Sequence, residues 1–117
     1  MKNRAFHHRL GYAIAGIAAT LRTEGSFRLQ CLAASAVLVA LLILRPAPIW
    51  WAAAALSVVG VLAAEQFNTA VERLADRLHP EVHPEIRIVK DCAAGAVLFT
   101  SLGALAVAAA FIVERWS

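Results

Sequence analysis

Residues 49–76 read IWWAAAALSVVGVLAAEQFNTAVERLAD, and the reading of this stretch decides the fold. No charge occurs over 46–64, a run apolar enough to enter a bilayer; Glu65, Glu72 and Asp76 then follow in close succession. On a helix advancing about 100° per residue, Glu65, Asn68, Glu72 and Asp76 fall at roughly 0°, 300°, 340° and 20°. Three carboxylates and an amide therefore share one narrow stripe. A charged side chain near the bilayer centre costs at least about 2.5–3.5 kcal/mol, so such residues face a bundle interior rather than lipid. The stretch predicts a membrane span with a hydrophilic site at its polar edge.

C-terminal to the stripe, the helix is expected to run on to Leu78, where His79-Pro80 stops it. A loop is expected from His79 to about Arg87, then a third span over about 91–113. N-terminal to it, Pro46-Ala47-Pro48 forces a turn. The uncharged run 29–44, bracketed by Arg28 and Arg45, predicts a first span over about 28–45, and the second is expected over about 49–70. The segment of about 5–22 repeats Leu10, Ile14, Ile17 and Leu21 at helical spacing, with Arg9 and Arg22 near its ends. Its moderate hydrophobicity suits an amphipathic helix lying along the interface. A short break is expected at Thr23-Glu24-Gly25-Ser26. Ala96, Thr100, Ala104 and Ala108 put small residues at every fourth position of the last span, a surface for close helix contact.

The fold class expected is thus all-α and membrane-embedded, one domain over 1–117, with a surface helix and three transmembrane helices. Composition agrees: 61% of the 117 residues are hydrophobic. The net charge of +3 with only 16% charged residues argues against a basic face for nucleic acid, so no nucleic-acid partner is expected. Cys31 and Cys92 lie in apolar segments with no Cys-x-x-Cys or Cys/His cluster, which argues against zinc and disulfides. Nine of the eleven Lys/Arg (Lys2, Arg4, Arg9, Arg22, Arg28, Arg73, Arg77, Arg87 and Lys90) fall on one side of the three spans. Arg45 and Arg115 fall on the other. The excess places the N-terminus and the His/Pro loop in the cytoplasm, with Trp50, Trp51 and Trp116 near the outer interface. No apolar core or cleavage pattern follows Lys2 and Arg4, so the N-terminus is expected to belong to the mature structure.

Glu65 is the deepest carboxylate, and its partial desolvation suits a proton acceptor. The plain alternative is a structural carboxylate held by Asn68 or Arg73. Glu72 lies two turns nearer the cytoplasm, in a layer where carboxylates can hold a hard divalent cation. Glu24 can reach the same layer; alone, it reads equally well as a solvated loop residue or a helix cap. Lys90-Asp91 reads either as a phosphate-binding lysine beside an acid that orients it, or as an interfacial lysine and an acid favoured by a helix dipole. No glycine-rich phosphate motif occurs, so any nucleotide site must be assembled differently from that of soluble kinases. His79 and His83 are four apart, but Pro80 between them argues against a helical metal pair. Three spans cannot surround a polar site alone, so a homo-oligomer is expected.

Taken in order, these residues resemble the small prokaryotic membrane lipid kinases, the diacylglycerol kinase and undecaprenol kinase family. The match comprises Phe6, Ala13 and Gly16 in the surface helix, then Glu24-x-x-Phe27-Arg28. It continues with Glu65-x-x-Asn68-Thr69-Ala70-Val71-Glu72 and Asp76, and with Lys90-Asp91-x-Ala93-Ala94-Gly95-Ala96-Val97-Leu98. The resemblance implies a homotrimer in a bacterial inner membrane that transfers the γ-phosphate of ATP to the hydroxyl of a lipid alcohol. It implies Glu65 as general base and Glu24 and Glu72 as ligands of Mg²⁺. Tyr12, Glu24, Asn68, Glu72, Asp76, Glu81, Val82, His83, Lys90 and Asp91 would lie at the nucleotide, and Glu65, Phe27, Arg28 and Ala94 at the lipid. Enterobacterial diacylglycerol kinases carry Asn-Glu-Ala-Ala-Phe-Arg-Gln-Glu where this chain has Thr23 to Gln30, and a serine at the position of Ala94. The Lys90-Asp91 block and the His-Pro loop lean towards the undecaprenol branch. The rival reading is a small proton-coupled transporter switching on Glu65, but the outer halves of the spans carry no charge to continue a polar path.

Overall fold

The computed structural model describes residues 5–117, which form four helices. They are α1 (Phe6–Thr23), α2 (Gly25–Leu44), α3 (Pro48–Leu78) and α4 (Pro84–Trp116), and there is no strand among the described residues. Lys2 and Arg4 lie outside the described residues. α2, α3 and α4 are each long and apolar enough to cross a membrane. The all-α class read from the sequence, with one shorter helix ahead of three helices able to span a membrane, is the one observed.

The boundaries follow from local chemistry. Pro48 and Pro84 occupy the first turns of α3 and α4, where a missing N–H costs no hydrogen bond. The His79–Arg87 loop expected from the sequence is therefore too long: only residues 79–83 are non-helical, and Glu85, Ile86 and Arg87 belong to α4. The break expected at 23–26 is likewise a single residue. Glu24 alone leaves the helical region, at φ −117° and ψ 110°, and its N–H still bonds Thr20 O at 2.8 Å. Gly25 and Ser26 open α2. At the other end of α2, Arg45 adopts a left-handed conformation (φ 48°) and starts the turn into Pro46.

α2, with 20 residues, spans about 30 Å, the thickness of a bilayer core. α3 (31 residues) and α4 (33 residues) run to about 46 and 50 Å, so each extends beyond the hydrocarbon. The expected span of 91–113 lies inside α4. α3 and α4 pack along each other as a hairpin, whereas α2 packs on α3 and not on α4. An open cleft is left between α2 and α4. Its inner part has a cavity of about 350 Å³ lined by Gln30, Ala33, Val61, Leu62, Ser101 and Ala104 among others. Its outer part has one of about 330 Å³ under Trp50, Phe111 and Trp116. Ala104 and Ala108 of the small-residue face line both cavities, while Ala96 is exposed. Phe111 stands edge-on to Trp50 at 5.2 Å and to Trp116 at 6.4 Å, which gathers the indoles at one end; Trp51 faces the α2–α3 groove.

α1 docks loosely on this frame. Its apolar stripe of Leu10, Ile14, Ile17 and Leu21 stays exposed, free for a bilayer surface. The opposite face meets α3: Gly16 lacks a side chain, and the Gln66 amide stands where a Cβ would touch it at 3.6 Å. The described chain buries only six residues, namely Thr20, Phe27, Val61, Glu65, Thr69 and Ala75. Half of them are polar, and all lie on α1, α2 or α3.

Candidate functional site

Glu65 is 6% exposed at the end of the apolar part of α3. Its Oε2 accepts from Ser26 Oγ at 3.3 Å, across the start of α2. The sequence alternative that had Asn68 or Arg73 holding this carboxylate is not what forms. Asn68 Nδ2 donates instead to Glu72 Oε1 at 3.2 Å, one turn along α3, and Arg73 donates to Thr23 Oγ1 at 2.6 Å. Among the described residues, no Lys, Arg or His side-chain nitrogen lies within 4.0 Å of the carboxylate oxygens of Glu24, Glu65 or Glu72.

Glu24 and Glu72 are half-buried, Glu24 in the α1–α2 break and Glu72 two turns beyond Glu65. Asn68 Oδ1 is buried without a partner beside Glu72. These atoms supply oxygen only, the donor chemistry that magnesium takes. No group of three or more His, Cys, Asp or Glu stands ready to hold a metal among the described residues. Two carboxylates nevertheless suit a cation that completes its shell with water and phosphate oxygens.

Lys90 and Asp91 separate rather than cooperate. Lys90 Nζ reaches Asp76 Oδ1 across the α3–α4 hairpin at 2.5 Å, while Asp91 pairs with Arg87 one turn earlier at 3.3 Å. Side chains adjacent in a helix diverge by about 100°, which rules out an Asp91 that orients Lys90. Nor is Asp91 a first-turn acid, because α4 starts at Pro84 and the acid of that turn is Glu85. In the connecting loop, His79 Nδ1 and Glu81 Oε1 are 3.1 Å apart. A backbone hydrogen bond, and then the His79 ring, hold the Glu81 carboxyl below the ordinary carboxylate range. His83 Nδ1 accepts the Glu85 N–H at 3.1 Å and caps α4, leaving Val82 fully exposed at the tip.

Of the residues set against the lipid, Phe27 is 3% exposed and belongs to the core at the α1–α2–α3 junction. Arg28 Nη1 bonds Leu21 O at 2.8 Å and Arg22 O at 3.2 Å, closing the C-terminus of α1. Tyr12 and Ala94 are exposed on α1 and α4. Sequence reasoning missed the contacts of Ser26, Thr23 and Arg73. The sequence offers Ser26 and Thr23 only as break residues, and Arg73 as a basic residue in the topology count and a partner for Glu65, not for Thr23.

Fold and site together define a small helical membrane protein whose buried carboxylate lies where its apolar span ends. The sequence model described as prokaryotic diacylglycerol kinase matches residues 11–112. An undecaprenol kinase of Bacillus subtilis is 38% identical over 82 residues, covering 70% of this chain and 67% of that protein. A diacylglycerol kinase of Synechocystis is 36% identical over 97 residues, covering 82% of this chain and 55%, just over half, of that protein. The chain belongs to the prokaryotic diacylglycerol kinase family, a family of lipid kinases.

Proposed function

We propose that this chain phosphorylates the hydroxyl of a membrane lipid alcohol, undecaprenol or diacylglycerol, with ATP at the cytoplasmic face of a bacterial inner membrane. The observation that carries this reading is Glu65: a buried carboxylate where an apolar span turns polar, held by Ser26 and, among the described residues, paired with no basic side chain. A lipid hydroxyl arriving from the bilayer meets Glu65 before it meets water. Glu65 takes the hydroxyl proton as the lipid oxygen bonds to the γ-phosphorus and the bond to the ADP oxygen breaks. Glu24 and Glu72, with the free carbonyl of Asn68, would hold Mg²⁺, which when bound neutralises triphosphate charge.

Lys90, fixed by Asp76 at the water end of the hairpin, offers its remaining N–H groups to phosphate. Tyr12, Glu81, Val82, His83 and Asp91 are assigned to the nucleotide from the family pattern alone. Self-association as a homotrimer is supported by the open α2–α4 cleft and by how little one chain buries. The basic residues support a cytoplasmic N-terminus.

The test is kcat/KM for ATP-dependent phosphorylation of undecaprenol, diacylglycerol and glycerol in one detergent. A lipid alcohol is expected to exceed glycerol by orders of magnitude, with undecaprenol slightly ahead of diacylglycerol. Glycerol matching either lipid overturns the membrane-substrate reading.

A further inference from the structure

Glu24 sits in the break between α1 and α2 while Glu72 is on α3, so a cation held between them needs α1, α2 and α3 fixed relative to one another. Two hydrogen-bonded ties do this, and they flank Glu24. On one side, Arg73, the residue after Glu72, donates to Thr23 Oγ1 at 2.6 Å; Thr23 Oγ1 in turn donates to Ala19 O at 2.9 Å. On the other side, Arg28 of α2 grips the Leu21 and Arg22 carbonyls of α1. Arg73 is also positioned against its own charge: it forms no ion pair within 4.0 Å with Glu72 or Glu24 and spends its donor on a neutral hydroxyl.

We propose that Arg73 and Thr23 are positioning residues for the divalent-cation site, a brace from the residue beside Glu72 to the residue beside Glu24. The inference rests on the reading of Glu24 and Glu72 as the cation's carboxylates. Groups that orient metal ligands are commonly worth about 10–100-fold in metal affinity, and the exposure of this pair puts the effect near the lower end.

The readout is Mn²⁺ binding rather than turnover: the free-Mn²⁺ EPR signal is titrated on the detergent-solubilised chain with a non-hydrolysable ATP analogue. Thr23→Val and Arg73→Ala are each expected to weaken Mn²⁺ about tenfold. The double variant should be no weaker than either alone, because both remove one interaction. Thr23→Ser keeps the hydroxyl and should bind like the wild type, which separates the brace from general damage. Wild-type affinity in Thr23→Val or Arg73→Ala, additive losses in the double variant, or a tenfold loss in Thr23→Ser each overturns the brace. If Glu24→Gln and Glu72→Gln lose Mn²⁺ while the brace variants keep it, the brace alone falls. If those two bind normally, the ligand assignment falls and takes the brace with it.

Discussion

Phe27 offers the sharpest separation between packing and substrate contact. It is 3% exposed, wedged where α2 leaves α1 beside α3, although the family pattern assigns it to the lipid. Phe27→Ala removes about 100 Å³ of side chain, and at about 24 cal/mol per Å³ of residual cavity the loss is about 2.4 kcal/mol if the junction does not collapse. The transfer contribution, which would add to this in a soluble core, is small where the alternative surroundings are lipid tails. Phe27→Leu keeps most of the volume and should cost about 1 kcal/mol or less. The assay is reversible unfolding in mixed micelles titrated with SDS, followed by far-UV circular dichroism, with KM for the lipid measured on the folded fraction. The order wild type, Leu, Ala in stability, with nearly equal KM, is expected. Unchanged stability in Phe27→Ala together with a several-fold rise in lipid KM would refute the packing argument and place the ring against substrate.

Glu65→Gln is expected to lower turnover about 10²–10⁴-fold while nucleotide binding persists, since a general base is lost and an isosteric amide still accepts from Ser26. Near-normal kcat in the folded variant removes the base assignment. Activity should need Mg²⁺ or Mn²⁺, with Glu24→Ala and Glu72→Ala raising the metal requirement or abolishing turnover; full activity in chelator with magnesium-free ATP would contradict this. Inactive Glu65→Gln and Lys90→Ala chains, mixed during reconstitution, should recover partial activity if a site draws these residues from different subunits. An active monomer by mass measurement in detergent ends the oligomer reading.

The helices were legible because their signals are local. The uncharged runs and their bracketing arginines mark α2, and His79-Pro80 ends α3 at Leu78 as read. Proline misled at Pro84, where it starts a helix instead of prolonging a loop, because the same missing N–H that breaks a helix interior is harmless in its first turn. Gly25 and Ser26 misled similarly: they signal a break by composition, yet one extended residue, Glu24, turns the chain. Helical geometry correctly put Glu65, Asn68, Glu72 and Asp76 on one stripe, but it says nothing about what each meets. Ser26, Asn68 and Lys90 divide that stripe between them. Arg73 with Thr23 spans fifty positions and exists only once α1 crosses α3. No periodicity encodes such a pair.

The six buried residues all fall within 20–27 or 61–75, and α4 contributes none of them. The molecule is thus made of two materials joined end to end. One is a close-fitted joint in which a side chain is held to its shape by its neighbours. The other is a stem whose positions are only partly covered within one chain: they face lipid, the open cleft or the neighbouring helix of the α3–α4 hairpin. Substitutions in the joint disturb folding and chemistry together, so loss of activity there does not by itself identify a catalytic group. Within one chain, substitutions in the stem disturb folding less than those in the joint. Val37, Leu41 and Val58, which line the cleft cavities, are therefore the positions at which to seek a changed lipid-chain preference.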